Sequence, residues 1–321
     1  MNHIPTTFDE HQVERTVIGG RKTGFENAMN LSVILLNSSG SQFKLQVFEN
    51  LVNCNFLEII SIENDIKNFS IENIAKKFPS IKFIIPSEKA TDGEMINLAM
   101  SEITADYVLV LRDSLYIPSG FILQNLAKRI TSEGIFCVVP WLTDKNNEGL
   151  ASYSCPSAEK NHFVIDKSCV VSDGIRTLYP FNNIAIYNRQ KFINIGGFDY
   201  LIKNPYWQNL DLAIRAWLWG EETKLTTMLS FTYVEETPIE DKTIDMDYLR
   251  YYLKNELPII KNDKAYIKRS SFWKFFNHSS CGYMQARSLF KASRKWVEHN
   301  QYNFKKDLQT FIKNWKKKDE E

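Results

Sequence analysis

Short apolar runs and amphipathic segments alternate along the first two thirds of the chain. Each apolar run is five or six residues long and is bounded by polar or turn-forming residues, which is typical of a strand buried on both faces. Between the runs, apolar residues recur at helical spacing. The predicted strands cover residues 31–36, 58–62, 81–85, 107–111, 135–139, 183–187 and 229–234. The predicted helices cover residues 43–53, 71–78, 91–103, 120–131, 189–195 and 207–219.

This alternation of strands and helices predicts βαβ units, and therefore an α/β fold with a parallel sheet covered by helices on both faces. Two local signals support the helix boundaries. Thr91 and Glu94 have the spacing of a capping box, and Gly220 follows the helix that begins at Trp207 as a stop signal.

Three segments do not follow this alternation and set the predicted domain limits. Residues 1–29 show no sustained period and are expected to form an arm. Residues 143–178 are polar and aperiodic, which indicates a functional loop or an insertion within the domain of residues 30–240. Residues 241–321 are rich in aromatic residues and lysines and are predicted to form a wholly helical subdomain.

Charge adds an asymmetry that the pattern does not show. The net charge of the 321 residues is +1, yet residues 241–321 contain 18 Lys and Arg against 10 Asp and Glu. An acidic body with a basic end indicates two functional regions. The basic region has three interpretations: a packed subdomain, a surface for an anionic membrane, or a module for oligomerisation or partner binding. A nucleic-acid partner is not expected, because no recognised module is visible.

Several classes of protein are disfavoured by what the sequence lacks. No window approaches the roughly 18 apolar residues of a membrane span, and the N-terminal residues lack the apolar core of a secretory signal. The five cysteines show no CxxC spacing, and the five histidines have no ligand spacing. We therefore expect a cytoplasmic protein with reduced thiols, with or without peripheral contact at the inner membrane face.

Candidate chemistry lies where the predicted strands end. In an open parallel sheet, ligands bind outside the carboxyl ends of the strands. Those ends are polar, and together they predict a binding cleft. The charged residues that they carry are Glu63, Asp65, Asp92, Arg112 and Asp113.

Three stretches of the chain resemble, in this order, the nucleotide-sugar domain of family-2 glycosyltransferases, over about residues 30–236. They are LSVILLNSS…LEIISIEND, DGEMINLAMSEITADYVLVLRDSLYIPSGF and FNNIAIYNRQKFINIGGFDYLIKNPYWQNLDLAIRAWLWG. The resemblance implies the GT-A fold, a Rossmann-like, mixed and mostly parallel sheet flanked by helices, followed here by a helical C-terminal subdomain. It also implies transfer of a sugar, with inversion, from a nucleoside-diphosphate sugar to a hydroxyl on a glycan, lipid or protein.

The same resemblance implies the site residues. The expected nucleotide-sugar contacts are Ser39, Glu63, Asp65, Asn97, Arg112, Asp113 and Ser114. The expected sugar and acceptor pocket contains Gly196, Gly197, Phe198, Trp207 and Asn209.

Two departures from the family's pattern bear on activity. Arg112-Asp113-Ser114 stands where the family has Asp-x-Asp, the pair that holds Mg²⁺ or Mn²⁺. A metal, if bound, would rest on Asp113 and Glu235. Arg112 either contacts the diphosphate in place of the metal or marks a site that has stopped working.

The second departure is Asn209, an amide at the position of the family's catalytic base. The remaining candidate bases are Asp211, Glu235 and Asp199, although Asp211 has the spacing of a simple ion pair with Arg215. The alternative function is a catalytically degenerate GT-A domain that acts as a binding or scaffold protein. A nucleotidyltransferase is disfavoured, because no glycine-rich triphosphate loop follows the first strand.

Overall fold

The computed structural model describes residues 11, 13–21, 28–37, 44–63, 71–159, 162–170 and 172–319. In these residues, nine strands form a central sheet in the order β1-β4-β3-β2-β5-β10-β7-β11-β6, and four more form two separate hairpins. The strands are β1 (Arg15–Gly19), β2 (Leu31–Asn37), β3 (Ile59–Glu63), β4 (Ile81–Pro86), β5 (Tyr107–Arg112), β6 (Leu115–Tyr116), β7 (Cys137–Thr143), β8 (Tyr153–Glu159), β9 (His162–Ser168), β10 (Ala185–Asn188), β11 (Thr223–Tyr233), β12 (Ile259–Lys261) and β13 (Lys264–Tyr266).

The direction of the strands confirms a mixed, mostly parallel sheet. Strands β4, β3, β2 and β5 are parallel neighbours, and β7 is parallel to β11. Strand β10 is antiparallel to both β5 and β7, so these two groups run the same way. Only β1, β6 and β10 run in the opposite direction. Every residue of β2 and β3 is buried, as continuous apolar runs predict.

The helices lie close to their predicted positions. They are α1 (Lys44–Val52), α2 (Ile71–Lys77), α3 (Asp92–Glu102), α4 (Gln124–Thr131), α5 (Arg189–Ile195), α6 (Pro205–Leu218), α7 (Met246–Tyr251), α8 (Ser271–His278), α9 (Tyr283–His299) and α10 (Leu308–Asp319). The capping box at α3 is confirmed, because Thr91 Oγ1 accepts from the Glu94 N–H and Glu94 Oε2 accepts from the Thr91 N–H. No helix in the described part of the chain is long and apolar enough to span a bilayer.

Helices cover both faces of the sheet. One core contains side chains from α1, α2 and α4, and the opposite core contains side chains from α3, α5 and α6. Helix α6 also belongs to a third core that it shares with the C-terminal helices. Thirteen of its fourteen residues are buried, so α6 is enclosed on all sides. Trp217 on α6 contacts Phe311 and Trp315 of α10, with ring centroids 5.5 and 4.9 Å apart.

Two expectations from the sequence are corrected, for residues 1–29 and for the C-terminal region, and the expected insertion at 143–178 gains a hairpin. The segment 1–29 contains β1, which pairs antiparallel with the sheet edge at β4. The segment 143–178 contains the β8–β9 hairpin. The C-terminal region is not wholly helical, because β12 and β13 form a hairpin. Asn262 and Asp263 form its turn in the left-handed conformation that a two-residue hairpin turn requires. These strands lack the continuous apolar run of five or six residues that predicts a buried strand, so the pattern could not reveal them. Their sequences are RTVIG, YSCPSAE, HFVIDKS, IIK and KAY.

Candidate active site

A cavity of about 370 Å³ opens beside the carboxyl ends of β5 and β11. Four parts of the chain line it. They are the end of β5 with the start of α3, the short 3₁₀ turn Phe181–Asn183, the first turns of α6, and the segment 236–241 that follows β11. Its polar and charged lining side chains are Asp92, Arg112, Ser114, Asn182, Asn183, Tyr206, Asn209, Glu236, Glu240 and Asp241. The structure therefore brings Arg112, Ser114 and Asn209 of the predicted site together in one pocket.

The guanidinium of Arg112 is held rigidly at the floor of this pocket. Arg112 is 6% exposed. Its Nε donates to the Asn182 carbonyl oxygen over 2.9 Å, and its Nη2 donates to Asp92 Oδ2. Asp92 is the first residue of α3, and Arg112 is the last residue of β5, so two elements of the core fix this ion pair. A buried arginine with partners on two sides presents its remaining N–H donors in a fixed direction.

Asparagine amides form one wall of the pocket. Asn182 and Asn183 both adopt positive φ values of 54° and 63°, a conformation that asparagine tolerates better than most residues. Asn182 Nδ2 donates to the Tyr233 hydroxyl over 3.1 Å, and Asn209 Nδ2 donates to the Pro180 carbonyl over 2.7 Å. The buried Asn183 Oδ1 accepts no hydrogen bond from the described residues. Amide groups in such a wall are suited to hydroxyl-rich ligands.

The segment 236–241 supplies most of the negative charge of the pocket. Its outer end is held by Lys145, which pairs with Glu236. Glu240 is held on both oxygens, by Lys167 Nζ at 2.6 Å and by the Tyr179 hydroxyl at 2.9 Å. Two of the three partners, Lys145 and Lys167, come from the 143–178 stretch, and Tyr179 directly follows it. The insertion with its β8–β9 hairpin therefore positions one wall of the pocket.

Asp241 differs from the other carboxylates of this wall. Its Oδ1 accepts both the N–H and the hydroxyl of Thr243, at 3.0 and 2.6 Å. These hydrogen bonds hold the pKa of Asp241 below its ordinary value of 3.8. The group is therefore ionised at neutral pH, and no described side chain bonds its second oxygen.

Two predicted nucleotide contacts lie at the carboxyl ends of β3 and β5, on either side of β2. Glu63 closes β3, is buried, and accepts from Asn37 Nδ2 and Ser61 Oγ, each over 2.9 Å. Asp113 is buried at the end of β5, where its N–H donates to the Leu36 carbonyl. Neither residue lines the cavity. Ser39 and Asp65 lie outside the described residues.

Asn97 has a structural role. Its amide donates to the Phe198 carbonyl over 2.8 Å and accepts from the Phe198 N–H over 2.9 Å. It thereby fixes the turn at Gly196, Gly197 and Phe198, in which both glycines have positive φ. Neither this turn nor Asn97 is among the described residues that line the pocket. The structure therefore does not bring these predicted ligand contacts into the cavity.

Asp199, a candidate base, is fully buried and paired with a lysine from the C-terminal region. The Lys254 ammonium contacts Asp199 Oδ2, and the Leu201 N–H donates to Oδ1 over 2.9 Å. Burial alone would raise the pKa of Asp199, but the Lys254 ammonium holds it below the ordinary value. Trp296 of α9 covers this pair, with its ring centroid 4.7 Å from Lys254 Nζ.

Asp211 is also a member of this buried group. Its Oδ2 lies 3.2 Å from Arg215 Nη2, and its Oδ1 accepts from Asn255 Nδ2 over 2.7 Å. Arg215 in turn donates to the Gly197 carbonyl. Asp199 and Asp211 are both 0% exposed, so neither reaches an acceptor in the pocket. Glu235, the third candidate base, is exposed and lies beside the pocket lining rather than in it.

Trp207 packs behind the residues that line the pocket. Its Nε1 donates to the Thr243 carbonyl over 2.8 Å, and its ring stacks on Tyr251 at 5.4 Å. It therefore supports the residue that binds Asp241 without lining the cavity itself.

The donor set at the end of β5 does not fit a divalent cation. Mg²⁺ and Mn²⁺ prefer several oxygen ligands, and here the Arg112 guanidinium already occupies the Asp92 carboxylate, which lines the pocket beside it. Within the described ranges, no three Asp, Glu, His or Cys side chains are grouped as metal ligands. Asp113 and Glu235 lie on adjacent segments, since the Val234 N–H donates to the Ser114 carbonyl, but no third ligand from the described part of the chain joins them.

Sequence reasoning missed Asp241, Tyr206 and Lys254. Asp241 and Tyr206 both line the pocket, but neither stands in a sequence motif. Asp241 reaches the pocket only because the chain after β11 returns to the first turn of α6, where Tyr206 lies. Lys254 lies in a π-helical turn, Tyr252–Glu256, which has no sequence signature.

Comparisons with known proteins support the fold. No protein-family profile and no curated protein matches the sequence. The crystal structure of GalNAc-T7 with UDP, GalNAc and Mn²⁺ superposes with a TM-score of 0.58 at 11% identity, covering 90% of this chain and 57% of that chain. This chain therefore spans less than two thirds of the length of that protein. Given the strand order and this superposition, the chain has the GT-A fold of nucleotide-sugar transferases.

Two further structures are similar at lower scores. S. aureus TarS, residues 1–349, has a TM-score of 0.49 at 11% identity, covering 90% of this chain and 92% of that chain. The mannosyltransferase PcManGT of Pyrobaculum calidifontis, in complex with GDP-Man and Mn²⁺, has a TM-score of 0.44 at 10% identity, covering 91% and 76%.

The buried pair of Lys254 and Asp199 predicts a large effect on stability. Lys254→Met should lower the free energy of unfolding by about 3–5 kcal/mol, because it leaves a buried carboxylate without its cation. The double variant Lys254→Met/Asp199→Asn should lose less, since the charge is removed as well. Urea unfolding measures both. The control is Lys77→Met, whose exposed pair with Glu49 is worth about 0–1 kcal/mol. Equal losses for Lys254→Met and Lys77→Met would contradict the assignment.

A second prediction concerns pH. Burial raises the pKa of Glu256 from its ordinary value of 4.5 to about 8. Between these two values the folded chain binds one more proton than the unfolded chain, so stability should fall as the pH rises from about 5 to 8. Glu256→Gln should remove this part of the slope, which urea midpoints at the two pH values will show. Identical slopes for the wild type and the variant would exclude Glu256 as its source.

Proposed function

We propose that this chain is a glycosyltransferase that binds a nucleoside-diphosphate sugar in the 370 Å³ pocket and transfers the sugar to a hydroxyl, with inversion. The observation that carries the proposal is the position of Arg112. A fixed guanidinium stands at the strand end of a GT-A sheet where the family resemblance implies the diphosphate clamp. The pocket beside it combines amide groups with an ionised carboxylate, as a sugar acceptor site requires.

Arg112 supplies the electrostatic part of the mechanism. Its Nε and Nη2 are used by Asn182 and Asp92, which leaves Nη1 for a diphosphate oxygen. Negative charge grows on the leaving nucleoside diphosphate as the glycosidic bond breaks. A donor that is already oriented stabilises that charge without reorganisation, so Arg112 favours the transition state over the ground state. Glu63 and Asp113, at the neighbouring strand ends, are proposed to hold the nucleoside and ribose.

Asp241 is the proposed general base. Asp92 is neutralised by Arg112, both oxygens of Glu240 are occupied, and Glu236 is 82% exposed at the rim with Lys145. Asp241 keeps one oxygen open to the pocket. In an inverting displacement, the acceptor oxygen attacks the anomeric carbon, its proton passes to the carboxylate, and the nucleoside diphosphate departs from the opposite face. The two Thr243 hydrogen bonds hold the carboxylate in position during this transfer.

A second function is favoured by one specific observation. Asn209 lies in the pocket at the family's base position, and its amide is used to hold the Pro180 carbonyl. A chain that binds sugar nucleotides without transferring them would have this same arrangement. The two functions differ in their products: only a transferase releases nucleoside diphosphate in proportion to glycosylated acceptor.

The role of Arg112 predicts a loss of donor binding. Arg112→Ala should weaken binding of the preferred UDP-sugar or GDP-sugar by about 10- to 100-fold, the size expected for charge-assisted hydrogen bonds. Isothermal titration measures this effect. The matched control is Arg129→Ala, which removes an exposed arginine of α4 outside the pocket and should bind donor like the wild type. Equal binding by both variants would remove Arg112 from the site.

The role of Asp241 predicts a loss of turnover with binding retained. Asp241→Asn should lower kcat by about 10²- to 10⁴-fold, the usual contribution of a general base, while the donor Kd stays within about twofold. Release of nucleoside diphosphate measures kcat. Asp263→Asn changes an exposed aspartate in the β12–β13 turn and should leave kcat unchanged. An active Asp241→Asn enzyme would refute the assignment, and an inactive wild type that binds donor would favour the second function.

A further inference from the structure

Residues 264–297 of the C-terminal region contain basic residues and no acidic ones. These 34 residues contain eight Lys and Arg and no Asp or Glu, although acidic residues make up 38 of 321 in the whole chain. The stretch spans β13, α8 and most of α9. Seven of its basic residues are exposed, namely Lys264, Lys268, Arg269, Lys274, Arg287, Lys291 and Lys295. A surface with this charge is suited to a polyanionic partner.

Large apolar side chains project from the same part of the fold. Trp273 on α8 is 61% exposed, and Tyr283 and Met284 at the start of α9 are 46% and 84% exposed. Phe276 connects them, with its ring centroid 6.5 Å from that of Trp273 and 5.7 Å from that of Tyr283. Trp273 and Tyr283 are therefore neighbours on one surface, and Met284 follows Tyr283 in the first turn of α9.

Helix α9 continues this surface as a row of positive charge. Arg287, Lys291 and Lys295 follow one another at intervals of four residues and share one exposed helix face with Met284. Like charges at this spacing destabilise a helix, so the row is not explained by the stability of α9. The opposite face of α9 is buried, and its Trp296 covers the Lys254–Asp199 pair. The helix is thus rigidly attached to the body while it presents the row to solvent.

We propose that this surface, formed by Trp273, Tyr283 and Met284 and by the basic residues of α8 and α9, docks on an anionic lipid bilayer. Tryptophan and tyrosine favour the headgroup region, where their rings are buried and their polar atoms stay hydrated. The basic row faces the negative lipid headgroups. A lipid surface suits this arrangement better than an acidic protein, because it accepts apolar tips and diffuse positive charge together without fixed partners. The inference goes beyond the proposed transfer reaction and does not require it.

The experiment is co-sedimentation of the full chain with vesicles. One set contains phosphatidylcholine only, and the other contains phosphatidylcholine with phosphatidylglycerol. The chain should bind the anionic vesicles at least tenfold more tightly than the neutral ones, and binding should weaken as salt is raised. Trp273→Ala and Met284→Ser should each weaken binding. The tryptophan emission of the wild type should shift to the blue on anionic vesicles, and Trp273→Ala should lose this shift, since the chain has seven tryptophans. The triple variant Arg287→Gln/Lys291→Gln/Lys295→Gln should weaken binding by about fivefold for each charge removed.

The control removes the same charge elsewhere. Lys76→Gln/Lys89→Gln/Lys128→Gln changes three exposed lysines of the sheet domain and should bind vesicles like the wild type. Circular dichroism of each variant establishes that it is folded. Three results would each overturn the proposal: no binding to anionic vesicles, equal losses for the two triple variants, or tighter binding to single-stranded RNA than to anionic vesicles. Donor titration on the same samples is independent, so failure here leaves the proposed function unaffected.

Discussion

The ion pair between Arg112 and Asp92 determines the character of the site. It joins the end of β5 to the start of α3, the two elements that meet below the pocket, and the Asn182 carbonyl completes its coordination. Because the arginine is nearly buried, its charge does not move away when the pocket is empty. The guanidinium occupies the Asp92 carboxylate that a divalent cation would need, while its remaining N–H donors are available to a phosphate oxygen. The same interaction thus explains why the donor set is poor for metal and suited to direct binding of phosphate oxygens.

A second group of buried charges joins the C-terminal region to the domain that carries the pocket. Lys254 and Asn255, from the π-helical turn, hold Asp199 and Asp211 on either side of the turn at Gly197. Helix α6 is enclosed between the sheet and the C-terminal helices, so it belongs to both cores. Two of the three candidate bases, Asp199 and Asp211, are thus buried and held by partners from the C-terminal region. The base that we propose, Asp241, comes from the segment after β11.

Much of the fold could be predicted from the sequence, because buried strands and amphipathic helices leave direct traces in the pattern. Helix α5 begins and ends at the predicted residues, and the capping box of α3 forms as expected. Strand β1 and the two hairpins were missed, since they lack the continuous apolar runs by which the other strands were predicted. The site was predictable only in part. Arg112 and Ser114 follow from the end of a predicted strand, and Asn209 from the family resemblance, whereas Asp241 depends on where a long connection returns and on its support by Thr243.

The dependence of donor binding on metal tests the central claim most directly. Titration of the wild-type chain with UDP-sugars and GDP-sugars should give the same dissociation constant in excess EDTA as in millimolar Mn²⁺, because the Arg112 guanidinium and not a metal ion meets the diphosphate. Binding that appears only when Mn²⁺ is added would contradict this account of Arg112.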